Sequence, residues 1–391
     1  MCSIILSINP IHVENIMNGT KLYEFRKKVC KRHIDKIVIY STTPIKKVVG
    51  EAEVEDVLID DPQIIWNITH AYSGINKTFF DKYKSEDIHL FTLKGDNIEV
   101  GIIEYGATIN FIKFDGIDVE LTYKDCQDYI DNASYCGGTI GRVGNRIAEG
   151  VFTLNGKEYH VAVNNGKNHL HGGIEGFDKK IFKSEVQEDK LVMTYLSKDM
   201  EEGYPGNLSL KVTYSVKGNT LFVDYEATSD QDTLWSPTNH AYFNLDGQEK
   251  GYCHNNLLMI NADYYNPVDA NLIPDEKKSV EGTIFDFRKL KKIATDIDNE
   301  ELKPFAGYDH NFICNDSLIC EARSTLTNIG MKIYSNLPGA QFYSGGPAKR
   351  GFAIEPQLVP NAINNNKYTK PILHKDEVKK EYIEYSFFKV N

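Results

Sequence analysis

The stretch Leu208-Ser209-Leu210-Lys211-Val212-Thr213-Tyr214-Ser215-Val216-Lys217 decides how the chain is read. Every even position is apolar and every odd position polar, the period of a strand with one buried face and one wet face. Gly218-Asn219 follows, and Leu221, Val223 and Tyr225 resume the alternation, so the segment predicts an antiparallel hairpin. Val151-Phe152-Thr153-Leu154, a turn at Asn155-Gly156, and Tyr159-His160-Val161 predict a second hairpin. Residues 91–100, turning at Gly95-Asp96-Asn97, predict a third. Many short strands with turn signals and few helical stretches imply that everything from Phe91 onward is mainly β, as a large antiparallel β-sandwich. One short helix is expected there, near 124–129.

Residues 1–90 predict a separate, small α+β unit. A buried strand is expected over 3–8. Ile11, Val13, Ile16 and Met17 have helical spacing, with Gly19 as the stop. Strands are expected over 36–40 and 48–57, and a helix over 67–84 broken at Gly74. Between Lys21 and Lys47 nine basic residues face two acidic ones, whereas the whole chain carries a net charge of −11. General nucleic-acid binding by the whole molecule is therefore disfavoured, and any such contact is confined to the basic stretch. The seven cysteines are scattered and form no C-x-x-C pair, which fits free thiols in a reducing compartment. No signal peptide and no apolar run of the roughly 18–20 residues a membrane span needs are present. The expectation is a soluble cytoplasmic protein with no membrane contact.

Four stretches carry chemistry: Gly141-Arg142-Val143-Gly144-Asn145-Arg146-Ile147, Asn168-His169-Leu170-His171-Gly172-Gly173, Thr238-Asn239-His240-Ala241-Tyr242-Phe243-Asn244-Leu245, and Ile354-Glu355-Pro356-Gln357. A lone histidine in a β-favouring run is most simply a core residue. Together, however, the stretches supply two imidazoles, a guanidinium and a carboxylate. Glu355 follows Phe352 and Ile354 on an apolar strand, where burial raises a carboxyl group's pKa. Arg146 offers a planar fork for vicinal oxygens, with a buried salt bridge to Asp309 as the structural alternative. Gly172-Gly173 allows backbone to approach a ligand closely.

These stretches, with Gly106-Ala107-Thr108, Gly203-Tyr204-Pro205-Gly206, Tyr308-Asp309-His310-Asn311-Phe312 and Gln341-Phe342-Tyr343, resemble the aldose 1-epimerase (galactose mutarotase) family from about Phe91 to the C-terminus. The resemblance implies a galactose mutarotase-like supersandwich over 91–391. It also implies interconversion of the α and β anomers of a hexose such as galactose or glucose, in carbohydrate metabolism. Glu355 is then the base at O1 and His240 the acid at O5. Asn145, Arg146, His171, Tyr242, Asp309 and Gln341 hold the sugar, with no cofactor and no metal. His169 is expected to be structural, and His160, His254, His310 and His374 non-catalytic. Two departures stand out. The stretch 344–351 is shorter than the family's, and Asn361 stands where an aspartate is common.

Leu6-Ser7-Ile8-Asn9-Pro10 and Gly19-Thr20-Lys21-Leu22-Tyr23-Glu24-Phe25-Arg26, with Ile39-Tyr40-Ser41-Thr42 and Val49-Gly50-Glu51, resemble the ASCH family, a PUA-like barrel linked to RNA. Lys21, Arg26, Lys27 and Lys28 would carry a weak RNA contact. Tyr23 and Glu24 stand where the hydrolase members of that family need a threonine, and the barrel's last strand is missing before Phe91. Four alternatives remain open at this level. They are a metal site built from His169, His171, His240 and Glu355, a non-catalytic carbohydrate-binding protein, a hexose-6-phosphate epimerase, and RNA binding through the N-terminal unit.

Overall fold

The computed structural model describes residues 88–123, 126–130, 134–274, 276–345 and 349–390 and, before them, strands 3–8, 36–41 and 47–53 with Val13 and Ile16. The chain divides into two compact units, Met1–Asp87 and Ile88–Asn391. Leu90, expected in the first unit, opens the first strand of the second.

In the first unit Ser3–Ile8 pairs in parallel with Lys36–Ser41, which pairs antiparallel with Lys47–Glu53. Val13, in a helical conformation, is buried with Ile39. The expected 67–84 helix and the residues Lys21, Tyr23, Glu24, Arg26, Lys27 and Lys28 lie outside the described residues.

The second unit is built on a nine-stranded antiparallel sheet. Its order is Lys183–Gln187, Lys190–Ser197, Leu208–Lys217, Thr220–Ser229, Lys379–Lys389, Ile329–Ser335, Leu318–Arg323, Leu257–Ile260 and Lys291–Lys292. The alternating stretch Leu208–Lys217 is the third strand in that order. Leu208, Leu210, Val212 and Tyr214 are buried there and Ser209 and Lys217 exposed. Its hairpin pairs Lys217 with Thr220 across Gly218-Asn219. Gly218 has φ +59°, a left-handed turn conformation that glycine adopts without steric cost. The hairpins Val151–Leu154/Lys157–His160 and Leu90–Lys94/Ile98–Ile103 also form. The short helix is Cys126–Ile130.

A six-stranded sheet positions the chemistry. Its order is Tyr242–Phe243, Phe352–Gln357, Gly339–Tyr343, Asp309–Cys314, Ala262–Tyr265 and Lys278–Ser279. One large apolar cluster joins residues of both sheets, among them Leu210, Val212, Tyr225, Phe243, Phe312, Phe342, Ile354 and Tyr385. Burying aromatic and aliphatic side chains of this size stabilises by about 1.5–3 kcal/mol each, which makes this cluster the main source of cohesion. Among the described residues no helix is long and apolar enough to cross a membrane.

Candidate active site

The six-stranded sheet has two faces with different jobs. Directly opposed residues share a face, and the register opposes Asn311 to Gln341, Gln341 to Glu355, Gly339 to Gln357 and Asp309 to Tyr343. One face therefore carries Asp309, Asn311, Gln341, Tyr343, Glu355 and Gln357, and Tyr242 joins it by pairing with Ala353. The other carries Phe312, Phe342, Ile354, Phe352 and Phe243, which pack into the core. Tyr308 stacks on Phe342 at 5.0 Å and Phe243 packs on Tyr385 at 5.3 Å, fixing the sheet from behind. The polar face is also buried: Asn311, Gln341, Glu355 and Gln357 are all at most 3% exposed. A row of buried polar groups is costly unless each finds a partner, so the row marks a site rather than a packing surface.

His240 joins two short strands. Thr238–Asn239 pairs with Thr139–Ile140, and Tyr242–Phe243 pairs with Phe352 and Ala353. Its amide donates to the Gly138 carbonyl and its carbonyl accepts from the Gly137 amide, both at 3.0 Å. A Cβ on Gly137 would sit 2.0 Å from the Ile109 carbonyl oxygen, so only glycine allows this approach. The imidazole Nε2 then lies 3.5 Å from Glu355 Oε1. Tyr242 packs beside it, ring to ring at 4.9 Å.

His171 and Arg146 come from a second pairing, His169–Leu170 against Arg146–Ile147. The Asn145 amide donates to His171 Nδ1 at 3.1 Å, and the His171 amide donates to the Asn145 carbonyl at 3.1 Å. This fixes the ring with Nδ1 as acceptor, so a neutral His171 carries its proton on Nε2. Gly172 follows with φ +84°, and a Cβ there would lie 1.8 Å from the Gly141 carbonyl oxygen. The Arg146 guanidinium donates from Nε to Asn165 Oδ1 at 3.2 Å, and its Nη2 lies 3.9 Å from Asp309 Oδ2. The structural alternative for Arg146, an ion pair with Asp309, is thus present and belongs to the site itself.

Burial sets the protonation of this cluster. Glu355 is pushed well above its ordinary value of 4.5, first by burial and then by the Asp309 charge, with Arg146 opposing. Burial lowers His240 to about 4. His171 is pushed well below 6.5 by burial and then by His240, Arg146 and His169. Both shifts favour the neutral forms, so burial opposes an ion pair between Glu355 and His240. Glu355 Oε2 and His240 Nδ1 are buried without a hydrogen-bond partner among the described residues. Unpartnered buried polar atoms on two adjoining side chains suit a hydroxylated ligand that can supply the missing hydrogen bonds.

A chain of side-chain amides backs the cluster. Asn266 Nδ2 donates to the Tyr368 hydroxyl at 2.8 Å, and Asn311 Nδ2 donates to Asn266 Oδ1 at 3.0 Å. Gln357 Nε2 donates both to Asn311 Oδ1 at 3.1 Å and to Gln341 Oε1 at 3.4 Å. Gln341 Nε2 donates to Asp309 Oδ1 at 2.5 Å. Each link fixes the flip of the next amide, so Gln341 turns its NH₂ group toward Asp309.

The expected residues Glu355, His240, His171, Asn145, Arg146, Asp309, Gln341 and Tyr242 are thus linked by contacts, hydrogen bonds or strand pairing into one cluster. His171, His240 and Glu355 each offer a ligand atom within 4.8 Å of the others, a spacing a cation could use. The fourth member of the metal alternative does not join them. His169 Nδ1 faces the Ala162 carbonyl at 2.7 Å and its Nε2 faces the Tyr204 hydroxyl at 2.6 Å, so both nitrogens are committed to structure. One residue was missed. Tyr135 places its ring 4.6 Å from His171 and 5.8 Å from His240, and a tyrosine between Ser134 and Cys136 carries no periodic signal that would single it out.

Residues 89–386 match the family model described as aldose 1-epimerase. The chain belongs to the aldose 1-epimerase family. Galactose mutarotase from Homo sapiens is 36% identical over 326 residues, which are 77% of this chain and 94% of the relative. Aldose 1-epimerase from Escherichia coli K12 is 34% identical over 328 residues, 76% and 94% of the two chains. Among solved structures, galactose 1-epimerase from Lactobacillus acidophilus superposes with a TM-score of 0.70 at 30% identity, covering 78% of this chain and 96% of that one. An aldose epimerase homologue from C. elegans gives 0.72 at 26% identity, covering 78% and 100%. These matches make the chain an isomerase acting on carbohydrates.

Within this aldose 1-epimerase framework the departure at Asn361 has a local explanation. Asn361 has φ +58°, a left-handed conformation asparagine tolerates. Its Oδ1 accepts from the Ala148 amide at 3.0 Å and its own amide donates to the Arg146 carbonyl at 2.8 Å. It therefore pins the backbone that presents Arg146, and an asparagine oxygen serves that purpose as a carboxylate oxygen would. Of the short stretch 344–351, residues 346–348 lie outside the described residues.

Proposed function

We propose that this enzyme interconverts the α and β anomers of a free aldohexose, galactose or glucose, through Glu355 and His240. The observation that supports the roles most directly is the buried pair itself, 3.5 Å apart, with Glu355 Oε2 and His240 Nδ1 left without a hydrogen-bond partner among the described residues. Burial favours the proton on Glu355. A sugar whose hydroxyls donate to the carboxylate replaces its lost hydration, lowers its pKa and moves the proton to His240. Glu355 then takes the proton from the C1 hydroxyl as the C1–O5 bond breaks, and His240 gives its proton to O5. The open aldehyde turns about C1–C2. Closure on the other face returns the O5 proton to His240 and delivers the Glu355 proton to O1, so atoms and charge balance over the cycle. Arg146, His171, Asn145, Asp309, Gln341 and Tyr242 hold the remaining hydroxyls and the charge that develops on the ring-opened oxygen.

Polarimetry on freshly dissolved α-D-galactose, α-D-glucose and their 6-phosphates tests the reading. Acceleration of at least one free hexose supports it, and acceleration of a 6-phosphate alone transfers the reading to a phosphosugar epimerase. The same assay after chelation addresses the His171-His240-Glu355 spacing. An unchanged rate is expected, and loss restored by zinc would replace acid–base chemistry with a metal mechanism.

A further inference from the structure

Tyr135 lies outside every sheet, on the segment between the helix Cys126–Ile130 and Gly137-Gly138. Its φ is +59°, a left-handed conformation that a residue of this size adopts only where its surroundings over-determine it. The surroundings are visible: its carbonyl accepts from the Gly138 amide at 3.0 Å, and the same glycine's carbonyl accepts from the His240 amide at 3.0 Å. The tight turn that carries Tyr135 is therefore the turn that anchors His240. Three rings pack on the His240 imidazole. Tyr242 and His171 are buried, whereas Tyr135 is only half-buried and approaches from a loop. It meets His171 edge-on at 60° and lies nearly parallel to His240 at 27°. Its hydroxyl makes no hydrogen bond among the described residues and is pushed up to about 12, first by burial and then by Asp178, with Arg146 opposing. It is thus an uncharged phenol with a partly open face beside the imidazole pair.

The other groups of the cluster are polar apart from two tyrosines, Tyr242, which is buried beside His240, and Tyr343, whose ring packs on Tyr242 at 6.2 Å and, among the described residues, not on an imidazole. Arg146, Asp309, Gln341, Glu355 and Asn145 can bind hydroxyls, but none offers an apolar surface to the C–H groups that a pyranose exposes on its faces. Resting on the mutarotase reading above, we infer that the Tyr135 ring is the wall of the sugar site, packed against the C–H face of the pyranose and screening the imidazoles from water. It touches the sugar and exchanges no proton with it. A contact of this kind is made equally by the closed ring and by the transition state, so its loss weakens binding more than it slows chemistry.

The test is the KM and kcat of Tyr135→Ala and Tyr135→Phe on the full chain, by polarimetry, with circular dichroism confirming the fold. Tyr135→Ala should raise KM about tenfold, the scale of one lost apolar contact in a pocket, with kcat changed by less than about threefold. Tyr135→Phe keeps the ring and should retain most of the affinity. An unchanged KM in a folded Tyr135→Ala variant overturns the inference, and so does a fall in kcat at constant KM. Saturation-transfer NMR with D-galactose provides a readout independent of turnover. Transfer to the sugar's C–H protons should be strong in the native chain, weak in Tyr135→Ala and retained in Tyr135→Phe. If the native chain turns over no aldose, the functional reading fails on that ground alone, and equal transfer in the native chain and Tyr135→Ala would separately overturn the wall.

Discussion

Glu355 and His240 face each other at 3.5 Å, and the proposed mechanism requires that the pair hold one exchangeable proton. Two protons leave no base, and none leaves no acid. His240, lowered to about 4 by burial, gains the second proton only below that pH. Glu355, raised well above 4.5, loses the shared proton only on the alkaline side. The pair titrates as a unit, so kcat/KM should follow a bell whose acid limb falls near pH 4 and whose alkaline limb reports the raised carboxyl group. A steady-state pH profile on the native chain checks this. An alkaline limb that tracks an unperturbed carboxylate near 4.5 would show that burial does not tune the pair. The residue types were legible in the sequence because acid–base chemistry has few candidates, and a carboxylate, two histidines and an arginine stand in four short stretches. Tyr135 was not legible, because its role comes from a turn conformation and a packing neighbour that no spacing rule encodes.

At the scale of elements, the polar face of the six-stranded sheet explains why alternation alone misleads. Asp309-His310-Asn311-Phe312 alternates like a strand with one wet face, yet Asn311 is 1% exposed. The face is polar because it is a site, and burial of both faces shows only in three dimensions. The hairpins at Gly218-Asn219 and Asn155-Gly156 were legible for the opposite reason, since turn chemistry there is local. The amide chain behind Asp309 makes Gln357 the link that donates in both directions. Gln357→Leu removes both donors and leaves Asn311 Oδ1 and Gln341 Oε1 buried without them, at a cost of about 1–3 kcal/mol each before relaxation. The variant should melt several degrees lower and bind its sugar more weakly, with a raised KM and a kcat close to native. Thermal melts and polarimetry at several sugar concentrations read both effects. A native KM would show that the chain does not orient Gln341 and Asp309.

On the scale of the whole molecule, the second unit was readable from its first strand to its last because strand periodicity and family motifs agree over its length. The family model covers residues 89–386, and the stretch 19–26 of the ASCH-like reading lies outside the described residues. The core of the second unit also contains a liability that composition hides. Glu120 is fully buried, neither of its oxygens has a hydrogen-bond partner among the described residues, and burial and then Asp118 push its carboxyl group well above 4.5. A folded-state pKa raised in this way favours the fold below the unfolded value near 4.5, and the benefit is lost as pH rises toward the folded value. The slope is about 1.4 kcal/mol per pH unit. Glu120→Gln removes the ionisation, so its melting temperature should gain on the native protein as pH rises above 4.5. A difference that does not change with pH would show that Glu120 is ionised in the fold. We propose that the second unit moves one proton onto and off a sugar through Glu355 and His240. The most direct test is NMR exchange between the C1 protons of α- and β-D-galactose and of the glucose anomers, with the native chain, Glu355→Gln and His240→Asn at equal concentration. The native chain should exchange one pair rapidly and each variant should fall by about 10²–10⁴-fold while still folded, whereas a near-native rate in either folded variant would contradict the account.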